Sequence, residues 1–199
     1  QSTVYPYQFD RSGIADQEFK TLILASQNFG KPARKYLTAY EDKIDTYVSA
    51  YLKDNGFNVL SSRIYARALS TAEARLGNPY DHTTGKLNQQ RKQRVLADVF
   101  SQLQADQPQL DGVVFTELLE RQVYFIDALQ RVARWDGVSR APQLLGANKG
   151  FAAEFDWAQP VDAVSLGVYI FTMEGKSVLA SAGGMSLTQA IDTRGGGKL

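Results

Sequence analysis

The stretch from Phe19 to Leu60 constrains the fold more than any other part of the chain. Thr21-Leu22-Ile23-Leu24-Ala25 is a short apolar run closed downstream by Asn28, Gly30 and Pro32, the pattern of a buried strand bounded by turn formers. Thr38 is followed three residues later by Glu41, a capping box in which hydroxyl and carboxylate each accept a hydrogen bond from an unpaired backbone N–H at a helix start. Apolar residues then fall at Tyr40, Ile44, Tyr47, Val48, Tyr51 and Leu52, one stripe at helical spacing. Asn55-Gly56 supplies a left-handed stop, and Phe57-Asn58-Val59-Leu60 opens a second strand. Strand, helix and strand in this order predict a βαβ unit with a right-handed crossover.

The remaining elements are read against that unit. Residues 1–18 are polar and aromatic (Val4, Tyr5, Tyr7, Phe9) without a helical period, which predicts an extended N-terminal arm or a partly ordered terminus. Ile64 to Leu69 either extends the second strand or begins a short helix running through Arg75. Gly77 to Lys86 is rich in turn formers and reads as an irregular loop. A helix follows over Asn88–Gln104, with Leu87, Val95, Leu96, Val99, Phe100 and Leu103 on its apolar side. Asp111 to Phe125 could be written as a helix face, but its ends are β-rich. We therefore expect a long strand that turns near Asp127-Ala128 and returns through Val132 to Ser139 as an antiparallel partner.

Ala141 to Pro160 is loop-like. Val164–Thr172, the turn Met173-Glu174-Gly175-Lys176 and Ser177–Gly184 form a hairpin whose glycine takes the left-handed position. The ending Arg194-Gly195-Gly196-Gly197-Lys198 reads as a flexible tail. The expected architecture is α/β: a single domain over 19–187 with a mixed, twisted sheet, the tail occupying 188–199. Helices pack mainly on one face, with Ala39–Asn55 and Asn88–Gln104 sharing it.

Composition narrows the chemistry. A hydrophobic fraction of 44% in 199 residues can fill one sizeable core. A net charge of +1 creates no global field to gather nucleic acid or anionic lipid, so no nucleic-acid partner is expected. With no cysteine, disulfides, thiol catalysis and Cys-ligated metal centres are excluded. Among these residues no run reaches the length of a membrane helix. Gln1 stands where an initiator Met would, so we expect an upstream segment, either an export signal or a trimmed start.

His82 is the sole histidine, so any Ser–His–Asp triad or His-ligated metal would have to use it. Asp81 lies beside it, but no Gly-x-Ser-x-Gly elbow accompanies the pair. Thr84-Gly85-Lys86 falls short of a phosphate loop, because Tyr80 holds the first glycine position and Leu87 replaces the hydroxyl. The loop carrying Tyr80, Asp81, His82 and Lys86 is therefore without an assigned role. Glu117 with Glu120, and Glu154 with Asp156, read as solvated carboxylates rather than an acid/base pair. Lys86, Arg91, Lys92 and Arg94 lack interleaved aromatics and read as a wet helix face.

Arg131, Arg134, Trp135, Asp136 and Arg140 form the most unusual group. Asp136-Gly137 is a tight turn or bulge with Trp135 buried beside it, or else the Arg/Trp cluster is an anchor for a protein partner. No metal, cofactor or catalytic residue is expected.

Gly30-Lys31-Pro32, Tyr40-Glu41, Ile44-Asp45, Tyr51-Leu52, Asn55-Gly56 and Val59-Leu60 resemble the opening of a group of uncharacterised bacterial envelope lipoproteins. Gly77-Asn78-Pro79-Tyr80-Asp81, Thr84-Gly85-Lys86 and Trp135-Asp136-Gly137-Val138 extend the likeness. The order of elements from about Phe19 to Leu187 is similar to the α/β domain shared by the curli-secretion lipoprotein CsgG and the N-terminal domain of TolB. The resemblance implies a non-catalytic, periplasmic protein anchored to the outer membrane. It implies protein–protein contacts in envelope assembly or secretion, with other envelope proteins or itself as partners. Membrane contact would run only through a lipid on a Cys upstream of Gln1. The paired membrane-inserting hairpins of the curli channel have no counterpart here. The alternative is a small hydrolase or transferase centred on His82.

Overall fold

The computed structural model describes residues 19–26, 38–125, 131–145 and 157–192. The arm, the first strand-to-helix connection, the Asp127-Ala128 turn, Glu154-Asp156 and the glycine-rich tail lie outside them. The described chain is mixed α/β. Its main sheet has five strands in the order β10-β9-β5-β1-β2, where β1 is Thr21–Ser26, β2 Asn58–Leu60, β5 Gly112–Val123, β9 Val161–Thr172 and β10 Ser177–Leu187. Three helices, α1 (Thr38–Asp54), α2 (Ser62–Leu76) and α3 (Gln89–Asp106), separate the strands in sequence. Chain contacts group the residues into two compact units. Among the described residues, one unit holds 19–117 with 168–181, the other 118–167 with 182–192.

The first unit contains the expected βαβ. Strand β1 pairs parallel to β2 (Leu22 opposite Val59) and parallel to β5 (Ile23 opposite Val113). Enclosed on both edges, β1 buries both its faces, and Leu22 and Ile23 are wholly inaccessible. Each such side chain stabilises the fold by about 1.5–3 kcal/mol through removal from water. Alternation along the strand divides the core. Leu22 and Leu24 join Val114, Ile170 and Leu52 of α1; Ile23 and Ala25 join Val113 and Phe115 with α2 and α3.

Two of the three helices thus share a face, but the pair is α2 with α3 rather than α1 with α3. The segment from 62 to 76 resolves as helix because Ser61 caps it, accepting from the Arg63 N–H. Its Ala-rich run buries Tyr65, Ala68 and Ala72 at helical spacing. That helix lies beside α3, to which an Arg75–Asp98 ion pair also ties it. On α1, Ile44 and Leu52 are buried as expected, whereas Tyr47 points into water. The side chains of the Thr38–Glu41 box lie outside those described.

Strand β5 corrects the expected antiparallel partnership. It sits at the middle of the sheet, between β1 and β9, and apolar residues on both faces of its first half require cover on both sides. Residues 133–140 instead fold on themselves as the hairpin β6 (Ala133–Trp135) and β7 (Val138–Arg140). Among the described residues, a single bridge between Phe125 and Ala133 is what remains of the expected pairing. In the second unit, Val123, Phe125, Ala133, Trp135, Val161 and Leu187 pack into one apolar cluster with Ile191. Short strands β8 (Leu144–Leu145) and β11 (Ile191–Asp192) pair parallel beside it. The expected 164–184 hairpin is present and longer at both ends. Gly175 takes its left-handed position, with φ of 80°.

Candidate functional site

The Arg/Trp group is built around a two-residue hairpin turn. Asp136 and Gly137 both have positive φ, 39° and 79°, the conformation of a type I′ turn, whose twist matches that of the flanking strands. Trp135 is only 8% exposed and donates from Nε1 to the Val164 carbonyl at 3.4 Å. Its ring is part of the core, so it offers no surface anchor. Asp136 accepts at one carboxylate oxygen from the Ser165 hydroxyl (2.6 Å) and from Arg121 Nε (2.8 Å). Those bonds, Ser165 first and then Arg121, hold its carboxyl below the ordinary value of 3.8.

Arg140 donates from Nε and Nη2 to the Met185 carbonyl. Arg131 sets its guanidinium 4.3 Å from the centroid of the Trp157 ring, a cation–π contact. Arg134 is exposed. Four of the five residues are thus engaged in holding the hairpin against its own unit.

The 77–86 loop is more ordered than its composition suggests. β3 (Tyr80–Asp81) and β4 (Lys86–Leu87) form a minimal antiparallel ladder. Asp81 closes the turn by accepting from the Thr83 N–H (2.8 Å), the Thr84 hydroxyl (2.9 Å) and the Thr84 N–H. The Thr83 amide, then Thr84, lower the Asp81 pKa. Asp81 is consequently turned to its own backbone and not to the neighbouring imidazole. His82 is exposed, meets Tyr80 edge-on at 5.0 Å between centroids, and makes no hydrogen bond among the described residues. An open cleft of about 640 Å³ lies here, lined by Asn78, Tyr80, His82, Lys86 and Arg91 among others. Arg91 spends one donor on the Asn78 carbonyl at 3.1 Å. Among the described residues no group of three or more His, Asp or Glu could hold a metal.

A third feature carries more. Strand β10 is an outer strand of the sheet, and Ser177-Val178-Leu179-Ala180-Ser181 begins it without a charge, a proline or a glycine. Proteins usually protect such an edge with charges, proline or a covering segment. Further along, Gly184 N–H donates to the Asp136 carbonyl at 2.9 Å, so the β6–β7 turn serves that end. Among the described residues nothing comparable serves 177–181. The turn fixes which groups face outward. Thr172 N–H donates to the Lys176 carbonyl and Gly175 N–H to the Thr172 carbonyl, each at 2.9 Å. Lys176 therefore faces β9, and alternation turns the backbone groups of Ser177, Leu179 and Ser181 to the outside.

The sequence identified this strand but not its place in the sheet. The available signal was the uncharged pentapeptide directly after a turn. No protein-family model matches the chain, and neither curated proteins nor solved structures contain a significant match.

Proposed function

We propose that this is a non-catalytic protein-binding module of the bacterial envelope that takes a partner strand along the outer edge of β10. The single observation that supports this is the uncharged backbone edge at Ser177–Ser181, which no other strand covers among the described residues. Main-chain groups there offer a template for strand addition, in which the ladder supplies affinity and flanking side chains supply selectivity. Placement in the envelope, with a lipid anchor upstream, rests on the sequence resemblance.

A hydrolase or transferase centred on His82 would need a carboxylate orienting the imidazole, and Asp81 is committed to Thr83 and Thr84. The Trp135 group serves its own hairpin, which leaves the strand edge as the favoured contact surface.

The test is a photo-cross-linker at Ala180, an exposed position, introduced into the protein in its native envelope. We expect adducts with a protein chain, lost in Leu179→Pro, because that change removes one outward N–H and leaves the ladder to β9 intact. A probe at exposed Glu117 serves as control. Equal adduct yield from both positions, or adducts that survive Leu179→Pro, would remove the edge from the mechanism.

A further inference from the structure

We propose that the strand seated on β10 is the β10 of a second copy of this chain, antiparallel to it and related by a two-fold axis through Leu179. The inference rests on the edge reading above and names its partner. Three observations carry it. The outward backbone groups belong to Ser177, Leu179 and Ser181, a set centred on Leu179. An antiparallel pair of such edges places Leu179 opposite its own counterpart and exchanges about six ladder hydrogen bonds.

The side chains follow the same symmetry. Reading outward from Leu179, Val178 meets Ala180 of the other copy and Ser177 meets Ser181. Apolar thus faces apolar and hydroxyl faces hydroxyl, both favourable cross-strand pairs.

Charge is the third element. An isologous contact brings residues on its two-fold axis next to their own counterparts, so a charged side chain at the centre would repel its copy. The pentapeptide has none, whereas the turn immediately before it carries Glu174 and Lys176. Val178 and Leu179 are half-buried and pack against the cluster of Leu22, Leu24 and Leu52. Joining two edges would bring two such clusters side by side, adding apolar contact to the ladder.

These 199 residues contain no cysteine, so a pair of introduced cysteines makes the register directly measurable. Val178 and Ala180 of opposite copies form a non-hydrogen-bonded pair, with Cα atoms about 4.5 Å apart, within reach of a disulfide. Purified Val178→Cys and Ala180→Cys chains, mixed under mild oxidation, should yield a cross-linked heterodimer several-fold in excess of the homodimer from either alone. Sedimentation should give twice the 22.0 kDa of one chain at high concentration. Leu179→Pro and, independently, Ala180→Lys should return the monomer with circular dichroism unchanged.

A monomer at every concentration, or cross-linking without preference for the mixture, overturns self-pairing. If Ala180 probes in the envelope then still capture a different protein, self-pairing alone fails and the edge reading stands. If they capture nothing, both fail.

Discussion

Ser165, fully buried, donates its hydroxyl to Asp136 at 2.6 Å, joining β9 to the turn of the β6–β7 hairpin. The same carboxylate oxygen accepts from Arg121 of β5, so one carboxylate joins two strands to the hairpin turn. Asp136→Asn should cost about 1–3 kcal/mol at neutral pH, because a buried hydroxyl and a guanidinium lose their charged acceptor. The folded-state pKa is depressed below 3.8, so this contribution is present above that value and lost as pH falls through the lower folded value. Urea unfolding of parent and variant should therefore show a gap at pH 7 that closes in acid. A gap independent of pH would deny the carboxylate its role.

Gly184 faces the same hairpin. A Cβ there would stand 2.9 Å from both the Trp135 carbonyl oxygen and its Nε1, and would run into Val138 Cγ2. Two of those atoms belong to a backbone or a packed ring and cannot swing aside. Gly184→Ala is expected to destabilise by about 1–3 kcal/mol through overpacking. A lowered melting temperature and altered tryptophan fluorescence would report it; unchanged values would mean that the hairpin shifts freely.

Tyr65 is a case of the opposite sign. Its ring is buried against Phe115, edge to face at 6.0 Å, yet among the described residues its hydroxyl has no hydrogen-bond partner, nor does Oε1 of Glu73 on the same helix. Burial, with Glu73 adding to it, pushes the phenol pKa well up. Desolvating an unpaired hydroxyl is unfavourable, so Tyr65→Phe should leave stability unchanged or raise it by about 1 kcal/mol. A measured loss of that size would reveal a partner for the hydroxyl.

Ile44 tests the first helix. At 7% exposure it cannot accept a charge, and Ile44→Asp should cost at least about 3 kcal/mol by burying an unpaired carboxylate. We expect aggregation or an unfolded circular dichroism spectrum. Tyr47→Asp, one turn along but 69% exposed, should remain folded and soluble. The two together separate a loss of packing from a loss of helix propensity.

The contrast between Ile44 and Tyr47 also shows where sequence reading succeeds. Periodicity locates α1 and α3 to within a few residues, and Asn55-Gly56 and Asn88 mark their ends by local chemistry that needs no tertiary context. The 62–76 helix stayed ambiguous because Tyr65, Ala68 and Ala72 supply only a narrow apolar stripe, and its start, Ile64-Tyr65, is equally compatible with a strand. The neighbours of β5 were not legible. Which strand lies beside another depends on loops that carry no register information, and a hairpin turn at Asp136-Gly137 competes locally with pairing across a longer connection. No linker marks the two compact units, because β5, β9 and β10 each contribute residues to both. As for the candidate site, the unusual composition around Trp135 reflected packing demand. The strand edge was inconspicuous, since five uncharged residues become informative only once they are seen to form an outer strand of the sheet.

Asp111 accepts from the N–H groups of Lys20 and Thr21 at 2.8 and 2.7 Å, and this fastens the start of β1 beside the start of β5 across 90 positions of sequence. During synthesis, β1 must therefore leave the ribosome well before the strand that encloses it exists. At roughly 5–20 residues per second, Thr21-Leu22-Ile23-Leu24-Ala25 waits for several seconds with half its ladder open. Such a delay is long compared with helix and hairpin formation. Strand β1 is thus the segment left longest with an open edge, and dependence on a holding chaperone should end only once Val114 and Phe115 are free to pair with it.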